Sequence, residues 1–320
     1  MTSGPDLRDR IEGVLLASAC GDALGVPYEF GSAPLAPDEQ PRMIGGGLGP
    51  YAPGEWSDDT QMAVVVARVA ASRGLADDTA LDDVVDGWID WLQAGASDVG
   101  IQTRAILTAI AAWRGTPGSA ARARAAALDL HGRTGRTAGN GSLMRTAPVA
   151  LACLGDPAAL TVLARTVSDL THADPLAGDA CVLWCHAIRL AVVDGAVPDL
   201  ADLLGELPVE RRDQWSGWVA AAQARPPAAF APNGYVVTAL QAAWSAVRHP
   251  LVADSPIVGS LSAAVHAGDD TDTVAAIAGS LLGGCWGASS LPATWLADVH
   301  GWPGLRAEDL RALAHRVADR

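Results

Sequence analysis

Two short segments of this 320-residue chain concentrate oxygen ligands directly ahead of apolar runs: Ser57-Asp58-Asp59-Thr60 and Asp269-Asp270-Thr271-Asp272-Thr273. Taken singly, each also has the composition of an ordinary helix start. Ser, Thr and Asp accept bonds from the free N–H groups there, and carboxylates suit the helix dipole. The second segment strains that explanation. Three carboxylates within four residues repel one another, a cap uses one side chain, and buried carboxylates are costly unless protonated or holding cations. An EF-hand does not fit, because the required glycine and the closing glutamate are missing. Neither segment contains His or Cys, so zinc does not fit either; all-oxygen donors suit Mg²⁺, Mn²⁺ or Ca²⁺. If the two helix starts converge, their five carboxylates and several hydroxyls suffice for two metal ions.

The elements that must bring them together are helices. Alternating β-branched runs are almost absent, whereas helical spacing recurs throughout. Ile11, Val14, Leu15 and Ser18 mark a first helix running into CGDALG. Met62, Val65, Val66 and Val69 mark a second, opened by SDDT. Val84, Val85, Trp88, Trp91 and Leu92 mark a third, and Ile101 to Trp113 a fourth. Further helices are expected near 142–153, 157–170, 175–193, 210–223, 235–248, 256–266, 272–286 and 307–318. Glycine and proline gather in loops at about 31–56, 131–141 and 225–234. The longest of these ends directly at the first acidic segment, which favours a functional loop. No repeat or linker stands out, so the expected architecture is all-α, one domain over residues 1–320.

Composition narrows the chemistry further. All 22 basic residues are arginine, and only two asparagines occur, Asn140 and Asn233. Without lysine there is no Schiff-base catalyst and no Walker-type phosphate loop. A formal charge of −14 argues against non-specific nucleic-acid binding. Hydrophobic residues at 50% supply a large core. The five cysteines, at 20, 153, 181, 185 and 285, form no CxxC pair and read as small buried hydrophobes of a reducing compartment. The N-terminus shows no signal peptide, and a cytoplasmic location is expected. The run 273–288 is apolar, with Gly279 and Gly283 at GxxxG spacing, but too short to span a bilayer. It reads as a central helix whose glycines permit close packing.

Seven segments, in order, resemble the ADP-ribosylglycohydrolase family: GVLLASACGDALGVPYEF, GEWSDDTQMA, SDVGIQTR, AGNGSLMRTAPVAL, THADPLA, GYVVTALQAAWSA and HAGDDTDTVAAIAGSLLGG. The resemblance implies an orthogonal helical bundle with two Mg²⁺ or Mn²⁺ ions in a cleft. It implies ligation by Ser57, Asp58, Asp59, Asp270, Asp272 and Thr273, and hydrolysis of the bond between ADP-ribose and an acceptor. Asp269 stands where the family usually has glycine, and Ser57 where threonine is commoner. A metal-activated water and a carboxylate acid or base suit such a glycosidic cleavage. Glu29 is the first candidate for that carboxylate and Asp98 the second.

Gly139, Asn140, Gly141 and Ser142 are expected to open a helix whose N–H groups take the diphosphate. His172 is expected at ribose or phosphate and Tyr235 against adenine, whereas Asp22 is expected to position the first loop. The substrate implied is an ADP-ribosylated protein or small acceptor, with nucleic acid entering only as a modified acceptor and no membrane partner. A dinuclear nucleotide phosphoesterase and a non-catalytic ADP-ribose binder or structural relative are the alternatives.

Overall fold

The computed structural model describes residues 6–252 and 255–320; the opening residues 1–5 of the N-terminal reading lie outside them. The fold grows from two helices that are apolar on every side, the pattern of elements buried all round. One is Leu7–Gly25, started by the Asp6 carboxylate accepting from the Asp9 N–H, and buried throughout from Gly13 onward. The other, Thr271–Trp286, is buried up to its final tryptophan. They run antiparallel and pack on each other more extensively than any other described pair.

Small residues four apart make that approach possible. A Cβ added to Gly13 would lie 2.2 Å from the Gly283 carbonyl oxygen, and one on Gly279 the same distance from that of Ala17. One on Gly21 would meet the Ala275 oxygen at 2.3 Å, and one on Gly25 the Asp272 Cα at 2.4 Å. The two backbones therefore touch along three helical turns. Because the helices are antiparallel, the end of the first is pinned to the start of the second, at Asp272. The GxxxG reading of the sequence is the seam of this contact.

The remaining helices wrap this pair. Asp58–Arg73 is clasped by Asp78–Gln93, where the Trp88 indole donates to the Met62 carbonyl at 3.1 Å. Pro175–Asp194 is the one described helix long and apolar enough to cross a membrane by length and composition; 78% of that window is buried inside the protein. It packs on the central helix through Trp184, whose indole reaches the Ile277 carbonyl at 3.0 Å. The architecture is all-α, with one two-stranded antiparallel ribbon, His300–Gly301 with Leu305–Arg306, among the described residues. The ribbon fastens the long loop ahead of the first acidic segment: Trp56 N–H donates to the His300 carbonyl and His300 N–H to that of Gly54, each at 3.0 Å. All five cysteines are buried and free.

Two expectations are corrected. The helix expected at 142–153 is only Ala147–Ala152, preceded by a three-residue 3₁₀ turn at Asn140–Ser142. Pro148 lacks the N–H and fixes φ, so it fits only in a first turn and sets the start there. A helix at Ser119–Thr134 was missed, and it occupies the beginning of the expected 131–141 loop. Its sequence, SAARARAAALDLHGRT, has weak amphipathic spacing but six alanines, so intrinsic helix propensity was the available signal.

The seam generates the first test. Gly283→Ala must separate two backbones, and overpacking with no flexible neighbour costs about 3 kcal/mol. Chemical denaturation should show that loss; an unchanged midpoint would contradict the contact.

Candidate functional site

The two acidic segments do converge, and neither behaves as a cap. Ser57 and Asp270 occupy the N-cap positions of their helices, yet neither side chain makes the capping bond. Asp6, Asp77, Asp156, Asp174 and Asp199 make it elsewhere in the chain. The Ser57 hydroxyl instead donates to Asp59 Oδ2 at 2.9 Å, leaving Asp59 Oδ1 buried with no hydrogen-bond partner among the described residues.

Asp22, on the N-terminal helix, fastens the first segment. Its carboxylate accepts from the Ser57 N–H at 2.8 Å, the Thr60 N–H at 3.0 Å and the Thr60 hydroxyl at 2.6 Å. The chain's two asparagines fasten the second. Asn233 Oδ1 accepts from the Asp270 N–H at 2.9 Å, while its amide donates to the Gly268 carbonyl. Asn140 Nδ2 donates to Asp270 Oδ2 at 2.7 Å and to the Asn233 carbonyl at 3.1 Å. Asp269 adopts a left-handed φ of 55° and its carbonyl accepts from Phe30, itself at φ 45°. A carboxylate residue thus takes a turn that glycine adopts without strain. Asp269 faces a neighbouring hollow with Tyr28 and His266, apart from the main cleft.

That cleft has a volume of about 790 Å³, within the range of small-ligand sites. Glu29, Asp58, Asp98, Asp270, Asp272 and Thr273 line it, together with Gly139, Asn140, Gly141 and His172. Ser57 and Asp59 lie just behind the acidic floor, fully buried. Two groups of carboxylates bring oxygen atoms within 4.8 Å of one another: Asp22, Asp59 and Asp272, and Glu29, Asp270 and Asp272. Asp272 belongs to both. Adjacent trios sharing one carboxylate, with an orphaned carboxylate oxygen among them, are a donor set that fits hard divalent cations.

Two expected residues stand away from the cleft wall. Ser142 is buried behind it, its hydroxyl accepting from Ser168 at 2.9 Å. Tyr235 is 40% exposed beside Gly139, with which it forms a β-bridge. Asn140–Ser142 is a single 3₁₀ turn, so the helix start expected there is absent. Sequence reading passed over two residues and gave a third, Asp22, only part of its role. Arg136 is the one arginine lining the cleft among the described residues. Asn233 is the hinge of the second segment, and Asp22 belongs to a cation-sized group as well as holding the first loop. The rarity of asparagine in this chain was the signal for Asn233; nothing in its motif marked Arg136.

Burial and mutual repulsion push these carboxyls upward. Burial raises Asp22 to about 6. Glu29 rises to about 9 through burial and then the charges of Asp98, Asp270 and Asp58. Asp58, Asp59 and Asp272 rise well above the carboxylate range, burial again leading. An acid raised in the folded state keeps its proton after the unfolded chain has released it. Ion-free protein therefore loses stability as pH climbs from the ordinary carboxylate range through about 6 and on to about 9. In chelator the melting temperature should fall between about pH 6 and pH 9, and Mg²⁺ or Mn²⁺ should recover most of the loss. Identical melting curves with and without cation at the alkaline end would exclude a cation site.

Comparison with known proteins gives concordant findings. A family model described as ADP-ribosylglycohydrolase matches residues 3–320. The chain is 28% identical to the ADP-ribosyl-dinitrogen reductase glycohydrolase of Rhodospirillum rubrum, over 93% of this chain and 92% of that protein. It is 29% identical to an ADP-ribosylarginine hydrolase of Pseudomonas putida, over 98% of this chain and 78% of that one. A solved structure titled as an ADP-ribosylglycohydrolase-related protein complex superposes with a TM-score of 0.73 at 27% identity, covering 98% of each chain.

Proposed function

The chain belongs to the ADP-ribosylglycohydrolase family and is a glycosidic-bond hydrolase, and from that we propose that it uses two Mg²⁺ or Mn²⁺ ions to release ADP-ribose from an ADP-ribosylated acceptor. The observation that carries the metal dependence is the pair of carboxylate trios joined at Asp272 in the cleft floor. Asp22, Asp59, Asp270 and Asp272 would hold the ions, with Ser57, Asp58 and Thr273 at their margins and Glu29 beside Asp270 and Asp272. Bound there, the ions supply Lewis acidity and positive charge where ribose hydroxyls and a water would sit.

The chain's own groups divide the remaining work. The cleft fixes the anomeric carbon above the acidic floor, which turns a bimolecular hydrolysis into an oriented one. Glu29 and Asp98 face the cleft close enough to shift each other, the arrangement of a carboxyl pair with unequal proton affinities. Glu29, the stronger holder, delivers its proton to the departing acceptor as the glycosidic bond breaks. The Glu29 carboxylate so formed, with Asp98 hydrogen-bonded beside it, then takes a proton from the water whose oxygen joins the anomeric carbon. In the cleft lining Arg136 supplies the cation for the diphosphate that a lysine-free chain must find elsewhere. Two relatives are named for ADP-ribosylated dinitrogen reductase and ADP-ribosylarginine. A guanidinium acceptor is therefore the first to test.

A release assay over ADP-ribosylated arginine, serine, nucleic-acid and metabolite acceptors, with either ion or chelator, should yield free ADP-ribose in ion-dependent fashion. AMP or phosphate as product would point to a phosphoesterase. Asp59→Ala and Asp270→Ala should abolish both turnover and the cation-dependent rise in melting temperature; full activity in either removes the metal assignment.

Glu29→Gln separates proton transfer from ion holding. Loss of a general acid lowers kcat by about 10²- to 10⁴-fold. The cation-dependent rise in melting temperature should persist, since the aspartates that hold the ions are untouched. An undiminished rate would pass the role to Asp98.

A further inference from the structure

One buried cation has no carboxylate partner. Arg145 is fully buried, with its guanidinium carbon 4.0 Å from the Trp88 ring centroid. None of the described carboxylates pairs with it. Its Nη1 faces Met62 Sδ at 3.7 Å, and its Nε has no hydrogen-bond partner among the described residues. Its one strong bond runs from Nη2 to the Thr171 hydroxyl oxygen, at 2.5 Å. That same oxygen lies 2.7 Å from His172 Nδ1. Burying an arginine without a counter-ion is costly in desolvation, so its placement needs a reason.

Hydrogen-bond bookkeeping supplies it. Arginine only donates, so the Thr171 oxygen is the acceptor of the first bond. The hydroxyl proton must then go to an acceptor, and His172 Nδ1 is the one within reach among the described residues. Nδ1 is therefore unprotonated, and in the neutral ring the proton sits on Nε2. His172 lines the cleft, and no protein group is bonded to its Nε2 among the described residues. A Cβ on Gly139 or on Gly141 would stand 3.4 Å from that nitrogen, so the two glycines keep the space before it open.

We propose that Arg145 is a positioning residue which, through the Thr171 hydroxyl, locks His172 as a neutral imidazole presenting Nε2–H to an oxygen of the bound ADP-ribose. The arrangement is the reverse of a histidine backed by a carboxylate, which is made more basic. Burial and the nearby Arg145 charge both hold His172 well below the ordinary histidine range. The ring is thus a constant donor across neutral pH, unsuited to carrying protons and suited to an anionic or hydroxyl oxygen. The Gln102 side chain, donating to the Thr171 carbonyl at 2.7 Å, steadies the same residue from the other side.

The identity of the ligand rests on the functional reading above, whereas the tautomer does not. Long-range proton–nitrogen NMR of the unsubstituted protein should show His172 protonated on Nε2 alone. Thr171→Val keeps the shape and removes the relay. The Nε2–H form should then lose its dominance, and ADP-ribose affinity, by calorimetry, should fall about tenfold, the scale of one hydrogen bond to a charged group. Thr171→Ser should restore both. Protonation of wild-type His172 on Nδ1, or a Thr171→Val protein with unchanged tautomer and affinity, overturns the proposal. If the unsubstituted protein binds no ADP-ribose, the functional reading fails instead, and the tautomer still decides the relay.

Discussion

Five carboxylates, those of Asp22, Glu29, Asp59, Asp270 and Asp272, are held with oxygens a few ångströms apart, and their repulsion is the constraint the fold must overcome. Unaided, such a group would spread apart or take up protons. The seam between the two central helices prevents the spreading. Backbone-to-backbone contact from Gly13–Gly283 down to Gly25–Asp272 leaves no slack between the helix that carries Asp22 and the helix that carries Asp272. Asp22 then spends its own hydrogen bonds on Ser57 and Thr60, tying in the Asp58–Arg73 helix. Three elements are thus locked at one point. A divalent cation is the natural complement, because it reverses the sign of the interaction that the packing resists.

Much of this was legible in the sequence, and the physical reasons are specific. The acidic segments announced themselves because three carboxylates exceed what any cap requires; the structure shows caps absent at both and present at five other aspartates. The glycine spacing of 279 and 283 was legible because close helix approach demands small residues at that interval. Convergence itself was not, since nothing local records which helix faces which. Motif-scale reading also misjudged AGNGSLMR. It gave the glycines a helix to open, whereas Pro148 forces that helix to begin later and leaves a single turn. The Ser119–Thr134 helix escaped because alanine and arginine leave a weak apolar stripe.

Residue scarcity proved as informative as residue pattern. A composition that disfavours Asn and Lys leaves only two asparagines, and both sit at one joint, bonded to each other and to Asp270. The Asn233 amide donates and accepts at once, and the Asn140 amide donates twice, which no carboxylate does without adding charge. Beside an already repulsive cluster, a neutral amide is the side chain that can hold Asp270 without adding a further negative charge.

The cleft is consequently polarised in a particular way. Its floor carries the negative charge that cations would neutralise, and its lining also offers Arg136 and the backbone of Gly139 and Gly141. A proton on His172 would add a positive charge to that lining. Placing a buried guanidinium behind it removes that option, since a second positive charge on the ring would meet Arg145 across a single hydroxyl. The buried cation thus helps keep the ring neutral in a cleft dense in carboxylates.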